Sequence, residues 1–124
     1  MERYAIGIDL GGTSVKYAVV ASSGEVLLNG QLPALAQESA EAVLGQILKG
    51  VEACREYAVS EGLMLAGVGV GTPGVVSADG RTVLGGAENI AGWENVPLAD
   101  RIEQAAGLKT LAGNDADMMA LGET

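Results

Sequence analysis

The 124-residue sequence contains no histidine and no phenylalanine, one cysteine and three prolines, and sets seven lysines and arginines against sixteen aspartates and glutamates. Without histidine, a Ser-His-Asp triad, a histidine-bound zinc and imidazole base catalysis cannot be assembled from these residues, so proton transfer falls to carboxylate, tyrosine or lysine. The single cysteine, Cys54, excludes an internal disulfide and a Cys-x-x-Cys site, which fits a reducing compartment and makes the cytoplasm the expected location. Asp9 interrupts the amino terminus before any signal-peptide core, and no run of about 18 apolar residues exists to span a bilayer. A net charge of −9 without a cluster of basic residues argues against a nucleic-acid surface.

What the sequence has in excess is glycine, 19 of 124 residues, about twice the usual ~7% and with no collagen-like period. A folding chain of this kind uses glycine for tight turns or where backbone approaches a ligand. Apolar residues at 48% and charged residues at 19% belong to an ordinary globular chain, and the length suits one domain of roughly 100–200 residues.

Alternation predicts a strand over Tyr4–Leu10, a second over 15–21 after Gly11-Gly12-Thr13-Ser14, and a third over 25–32 ended by Pro33, together an antiparallel meander. From 38 to 60 the period changes: Val43, Leu44, Ile47, Leu48, Val51, Cys54 and Ala58 mark one buried helical face, with Gly62 as its stop. Gly45 and Gly50 are expected where this helix packs closely on the sheet. Residues 63–71 read as a buried parallel strand. Residues 72–93 read as a long functional loop with a small hairpin around Ala78-Asp79-Gly80. A helix over 96–106 stopped by Gly107, a strand over 108–113 and a final helix over 116–122 complete the order βββαβαβα, a mixed α/β sheet covered by helices.

Four segments carry chemistry. In Asp9-Leu10-Gly11-Gly12-Thr13-Ser14-Val15-Lys16, a strand ends in a carboxylate and glycines free successive N–H groups to face one anion, which suits phosphate. Thr13 adds a hydroxyl, Lys16 a positive charge, and Asp9 a ligand for Mg²⁺; a plain Gly-Gly hairpin turn is the other reading. Gly69, Gly71 and Gly74 formally match G-x-G-x-x-G, but strand and turn rather than a helix follow, so a dinucleotide site is rejected. Small residues there admit either a ligand or a neighbouring backbone. Asn89 offers a donor and an acceptor suited to a pair of sugar hydroxyls, or simply forms a turn. Asn114-Asp115, between a strand and a helix, is either an N-cap or places Asp115 as general base toward a substrate hydroxyl.

In this order the four segments resemble the amino-terminal domain of the ROK family (repressors, open reading frames and sugar kinases), which includes bacterial glucokinases. IGIDLGGTSVK is similar to the family's phosphate hairpin, GVGTPGVV to its sugar-side loop, NIAGWENVPL to its N-x-x-G-W segment, and NDADMMALGE to its catalytic N-D-A-N-A-A-A-L-G-E. The resemblance runs from Tyr4 onward. It implies an actin-like, ribonuclease H-like ATPase domain that transfers the γ-phosphoryl group of ATP to a hydroxyl of a hexose or N-acetylhexosamine. By the same resemblance Asp9, Gly11, Gly12, Thr13 and Lys16 face ATP and Mg²⁺, with Asp9 toward the metal. Gly74, Asn89, Asn114 and Asp115 line the sugar site, with Asp115 as base.

Ala91 departs from a frequent proline, and Asp117, Met118 and Met119 replace Asn-Ala-Ala. Two residues from Asp115 on a helix, Asp117 points away and is expected to perturb it little. The resemblance also implies that residues 1–124 are the amino-terminal domain of a longer, homo-oligomeric enzyme, inactive alone. A second domain would supply half of the nucleotide site, a sugar-binding Glu and His, and any structural zinc. Glucose, mannose, N-acetylmannosamine, N-acetylglucosamine, allose and fructose all fit. Two non-catalytic alternatives remain: a sugar-binding module, and a transcriptional repressor, whose helix-turn-helix would have to precede a strand that follows only Met1, Glu2 and Arg3.

Overall fold

Period-two patterning has its counterpart in the computed structural model, which describes residues 3–113. β1 (Tyr4–Leu10), β2 (Ser14–Ala21) and β3 (Val26–Pro33) form the meander, followed by α1 (Ala40–Glu61) and β4 (Leu65–Gly71). β5 (Val75–Val76) and β6 (Val83–Gly85) make a small antiparallel pair, and α2 (Leu98–Ala106) leads to β7 (Thr110–Gly113). The main sheet has the order β3-β2-β1-β4-β7. β1 pairs antiparallel with β2 and parallel with β4, and β4 pairs parallel with β7. The mixed sheet is therefore as expected, with the β5-β6 pair set between β4 and α2.

One sheet face is apolar because alternate residues of the central strands are β-branched. Ile6, Ile8, Val15, Val19 and Val70 are fully buried in one cluster with Val43, Ile47 and Val51 of α1 and Leu98 and Ile102 of α2. The opposite face carries the other set: Gly7 and Asp9 on β1, Lys16 and Ala18 on β2. That alternation frees one side of the sheet for chemistry.

The boundaries follow local physics. α1 begins at Ala40, two residues later than expected, because Ser39 caps it by accepting the Ala42 N–H at 3.0 Å. It ends at Gly62, whose φ of 71° closes a reverse turn in which Leu63 N–H donates to the Ala58 carbonyl at 2.8 Å. β3 ends at Pro33 as expected, with the proline as its last residue. On an edge strand a missing N–H costs no ladder bond. Gly50 does lie against the Tyr17 ring, where a Cβ would sit 3.2 Å away, but Gly45 has no neighbour within 4 Å. The expected close packing at Gly45 is thus corrected: though half-buried, it leaves room for a side chain. The helix expected over 116–122 lies outside the described residues.

Candidate functional site

The parallel strands β1, β4 and β7 end together: Asp9 aligns with Gly71, and Gly71 with Gly113. Loops leaving the carboxyl ends of parallel strands are where α/β sheets bind ligands. The expected phosphate turn follows β1, the Thr72-Pro73-Gly74 segment follows β4, and Asn114-Asp115 follow β7. Asn114 and Asp115 themselves lie outside the described residues.

On the strands beside the first of these loops, Asp9 stands directly across from Lys16, and Lys16 directly across from Gln31. All three side chains are exposed and line one cleft of about 480 Å³ together with Asn29. Lys16 and Gln31 also border a second recess of about 550 Å³, shared with Thr13 and Ser14. Asp9 and Lys16 form no ion pair with described residues, so both are free to face a ligand of mixed charge. Asn29 and Gln31 were missed by the sequence reading. Their signal was present in the alternation of EVLLNGQL, which puts two amides on the face that Lys16 occupies.

The turn itself differs from expectation in two ways. The Gly11 N–H donates to the Ser14 carbonyl at 2.8 Å and closes the hairpin, so it does not point at an anion. The N–H groups of Gly12 and Thr13 have no acceptor among the described residues. Neither Gly11 nor Gly12 has a positive φ, so a primed hairpin turn, which requires left-handed backbone, is not the reason for this pair. Gly12 leaves space that a side chain uses: a Cβ there would lie 2.6 Å from Nδ2 of Asn89.

That approach brings Asn89 onto the Gly11-Gly12 turn from 77 residues away. Its loop is tied down by the Ala91 N–H, which donates to Ala36 O at 2.8 Å, and the segment holding Ala36 is joined to the turn by the Ala34 N–H, which donates to Thr13 O at 3.0 Å. Beneath it Trp93 is buried, and its Nε1–H donates to Thr72 Oγ1 at 2.8 Å. Thr72 in turn bonds through its N–H to Gly113 O at 2.9 Å. One connected set of contacts therefore links the Asn89 loop to the ends of β4 and β7. Gly74 is set apart from the Asp9 cleft. Its φ is 93°, and the space a Cβ would occupy is filled by the Gly85 carbonyl at 2.5 Å, so a neighbouring backbone approaches it closely.

Elsewhere, two arginines are paired with carboxylates of the helices. Arg81 bridges Asp100 and Glu103 of α2, and Arg101 bridges Glu41 of α1 at 3.0 Å. Arg81, followed by the Thr110 N–H, holds the Glu103 carboxyl down at about 2 against an ordinary value of 4.5. A folded-state value below the unfolded one means that this pairing stabilises the fold above about pH 4.5, and that the contribution is lost as pH falls toward 2. Burial pushes the Cys54 thiol up to about 12, so it remains protonated and is no nucleophile. No group of three metal-ligating side chains occurs among the described residues.

A mixed five-stranded sheet with a hairpin turn at the end of β1, helices on its apolar face and loops at the ends of three parallel strands is the actin-like ATPase fold. The chain belongs to the ROK family, whose model matches residues 5–124. It is 30% identical to a glucokinase from Halalkalibacterium halodurans over 98% of its own length and 36% of the relative. It is 31% identical to a putative xylose repressor from Caldicellulosiruptor sp. over 95% of its length and 29% of that protein. A ROK family glucokinase from Streptomyces griseus, solved in complex with glucose and AMPPNP, superposes with a TM-score of 0.76 at 32% identity, covering 96% of this chain and 37% of that one. The chain spans about a third of the length of the curated relatives it matches. Among the described residues no helix is long and apolar enough to cross a membrane.

Proposed function

We propose that residues 1–124 form the amino-terminal domain of an ATP-dependent sugar kinase of the glucokinase type. The observation that carries this reading is the contact between Gly12 and Asn89. It sets an amide suited to sugar hydroxyls against a turn suited to phosphate, and phosphoryl transfer requires those two ligands to meet. The kinase and repressor relatives leave both activities open to the family, and the facing pair Asp9 and Lys16 favours the kinase. A carboxylate beside an ammonium serves a magnesium-bound polyphosphate, whereas a sugar-sensing repressor has no need of it.

In this reading Lys16 neutralises phosphate oxygens, Thr13 donates its hydroxyl, and the N–H groups of Gly12 and Thr13 point at the anion. Gly11 shapes the turn. Asp9 suits Mg²⁺, because magnesium takes one or two protein carboxylates and draws its other ligands from water and phosphate. When bound, the ion supplies charge neutralisation across the transferring phosphoryl group. Asn89, Asn114 and Gly74 border the sugar, with Gly74 acting through the shape of its loop, and Asp115 takes the proton from the attacking hydroxyl. Residues 1–124 alone are expected to be inactive, since closure around both substrates needs a second domain.

Gly12→Ala in the full-length protein tests the reading. The added methyl meets the end of the Asn89 side chain, not backbone, so the fold yields easily while the amide moves. The expected result is a rise of roughly three- to tenfold in KM for the sugar, the loss of about one hydrogen bond, with a smaller rise in KM for ATP and an unchanged melting temperature. Unchanged KM for both substrates would show that this contact does not border them.

A further inference from the structure

β7 is the last strand of its sheet, yet its outer edge is closed, and side chains close most of it. On the inner side the carbonyls of Lys109 and Gly113 accept from Val68 N–H and Thr72 N–H at 2.8 and 2.9 Å. By alternation Thr110 and Ala112 turn their backbone groups outward. Ala112 N–H donates to Gly80 O at 2.9 Å. Thr110 N–H donates to Glu103 Oε2 at 2.9 Å, and Arg81 Nη1 donates to Thr110 O at 3.0 Å.

Arg81 and Glu103 are themselves joined at two points, Nη1 to Oε2 at 3.0 Å and Nη2 to Oε1 at 2.6 Å. Arg81 Nε also donates to Asp100 Oδ1 at 3.1 Å, and the Arg81 carbonyl accepts the Ala99 N–H at 3.1 Å. The two side chains thus grip both backbone groups of one residue, Thr110, from a half-buried position. A planar fork of donors does this; a point charge does not. Strand register is otherwise weakly held at an open edge, and a one-residue slip would turn the outward groups inward.

Gly113 ends β7, and Asn114 and Asp115 are the next two residues. We propose that Arg81 and Glu103 are positioning residues for Asp115, locking the register of β7 so that the base meets the sugar hydroxyl. The catalytic part rests on the reading of Asp115 given above, and the clamp on β7 stands on its own geometry. Misplacement of a reacting group by about 1 Å costs up to roughly a hundredfold in rate.

The test is Arg81→Lys in the full-length protein, with Glu103→Gln as a second variant and Arg101→Gln as control, since Arg101 pairs with Glu41 and does not touch β7. The expected result is a fall in kcat of roughly ten- to a hundredfold with KM for ATP unchanged, an altered acidic limb in the pH profile of kcat, and faster amide exchange at Thr110 and Ala112. Glu103→Gln should show the same pattern more weakly, and the control none of it. A merely structural role would lower the melting temperature and leave kcat and its pH profile unchanged per folded molecule, which would overturn the proposal. Unchanged exchange at Thr110 and Ala112 in both variants would also overturn it, whatever the activity. Faster exchange in a protein that phosphorylates no sugar would sustain the clamp, remove its catalytic purpose and count against the kinase reading instead.

Discussion

Replacing Asp115 by asparagine in the full-length protein is expected to lower kcat by about 10²- to 10⁴-fold, the usual contribution of a positioned base, with KM for ATP close to wild type. The substitution preserves volume and removes only the capacity to accept a proton. Residues 1–124 hold no histidine to take over. The carboxylate that lines the described cleft, Asp9, stands across from Lys16, and in the proposed reading it serves the nucleotide rather than the sugar hydroxyl. Steady-state kinetics with saturating sugar check this directly. Activity within tenfold of wild type would mean that another group accepts the proton.

Gly74→Ala is expected to cost stability more than any other single change discussed above. Its φ of 93° lies where side chains are strained, and a Cβ would meet Gly85 O at 2.5 Å and Ala87 N at 3.3 Å, both backbone atoms held by the neighbouring hairpin. Strain of this kind costs about 1–3 kcal/mol by itself, and the clash adds to it because neither partner can rotate away. Urea unfolding should show the midpoint falling with an unchanged slope. Because β5, which follows Gly74, pairs with β6, and the turn between them docks on β7, loosening should spread to the strand that leads to Asp115. A midpoint equal to wild type would mean that the loop rearranges freely and that Gly74 is not required for its shape.

β1 and β2 were legible from their period-two patterning, β4 as a short apolar run buried continuously over 68–71, and α1 because its apolar steps match one helical face. The less legible features depend on partners distant in sequence. Nothing local to Gly12 announces that Asn89 fills the space beside it, and Gly-Gly reads equally as a turn until the backbone angles exclude a left-handed one. Gly45 and Gly50 look alike in the helical pattern, and only the position of Tyr17 separates them. Arg81 stands in a segment read as loop, and its partners lie 19, 22 and 29 residues onward. A charged residue beside a turn gives no local sign that it closes a sheet edge. The four segments behind the family resemblance were legible because each joins a backbone requirement to a chemical one in a few residues.

The central claim is transfer of a phosphoryl group from ATP to a sugar hydroxyl. Its most direct measurement is incubation of the full-length protein with γ-labelled ATP, Mg²⁺ and a panel of hexoses and N-acetylhexosamines, followed by separation of the products. The account predicts label on at least one sugar, dependent on both Lys16 and Asp115. Label that stays on ATP or passes only to inorganic phosphate with every sugar, from a folded protein that binds nucleotide, would contradict it.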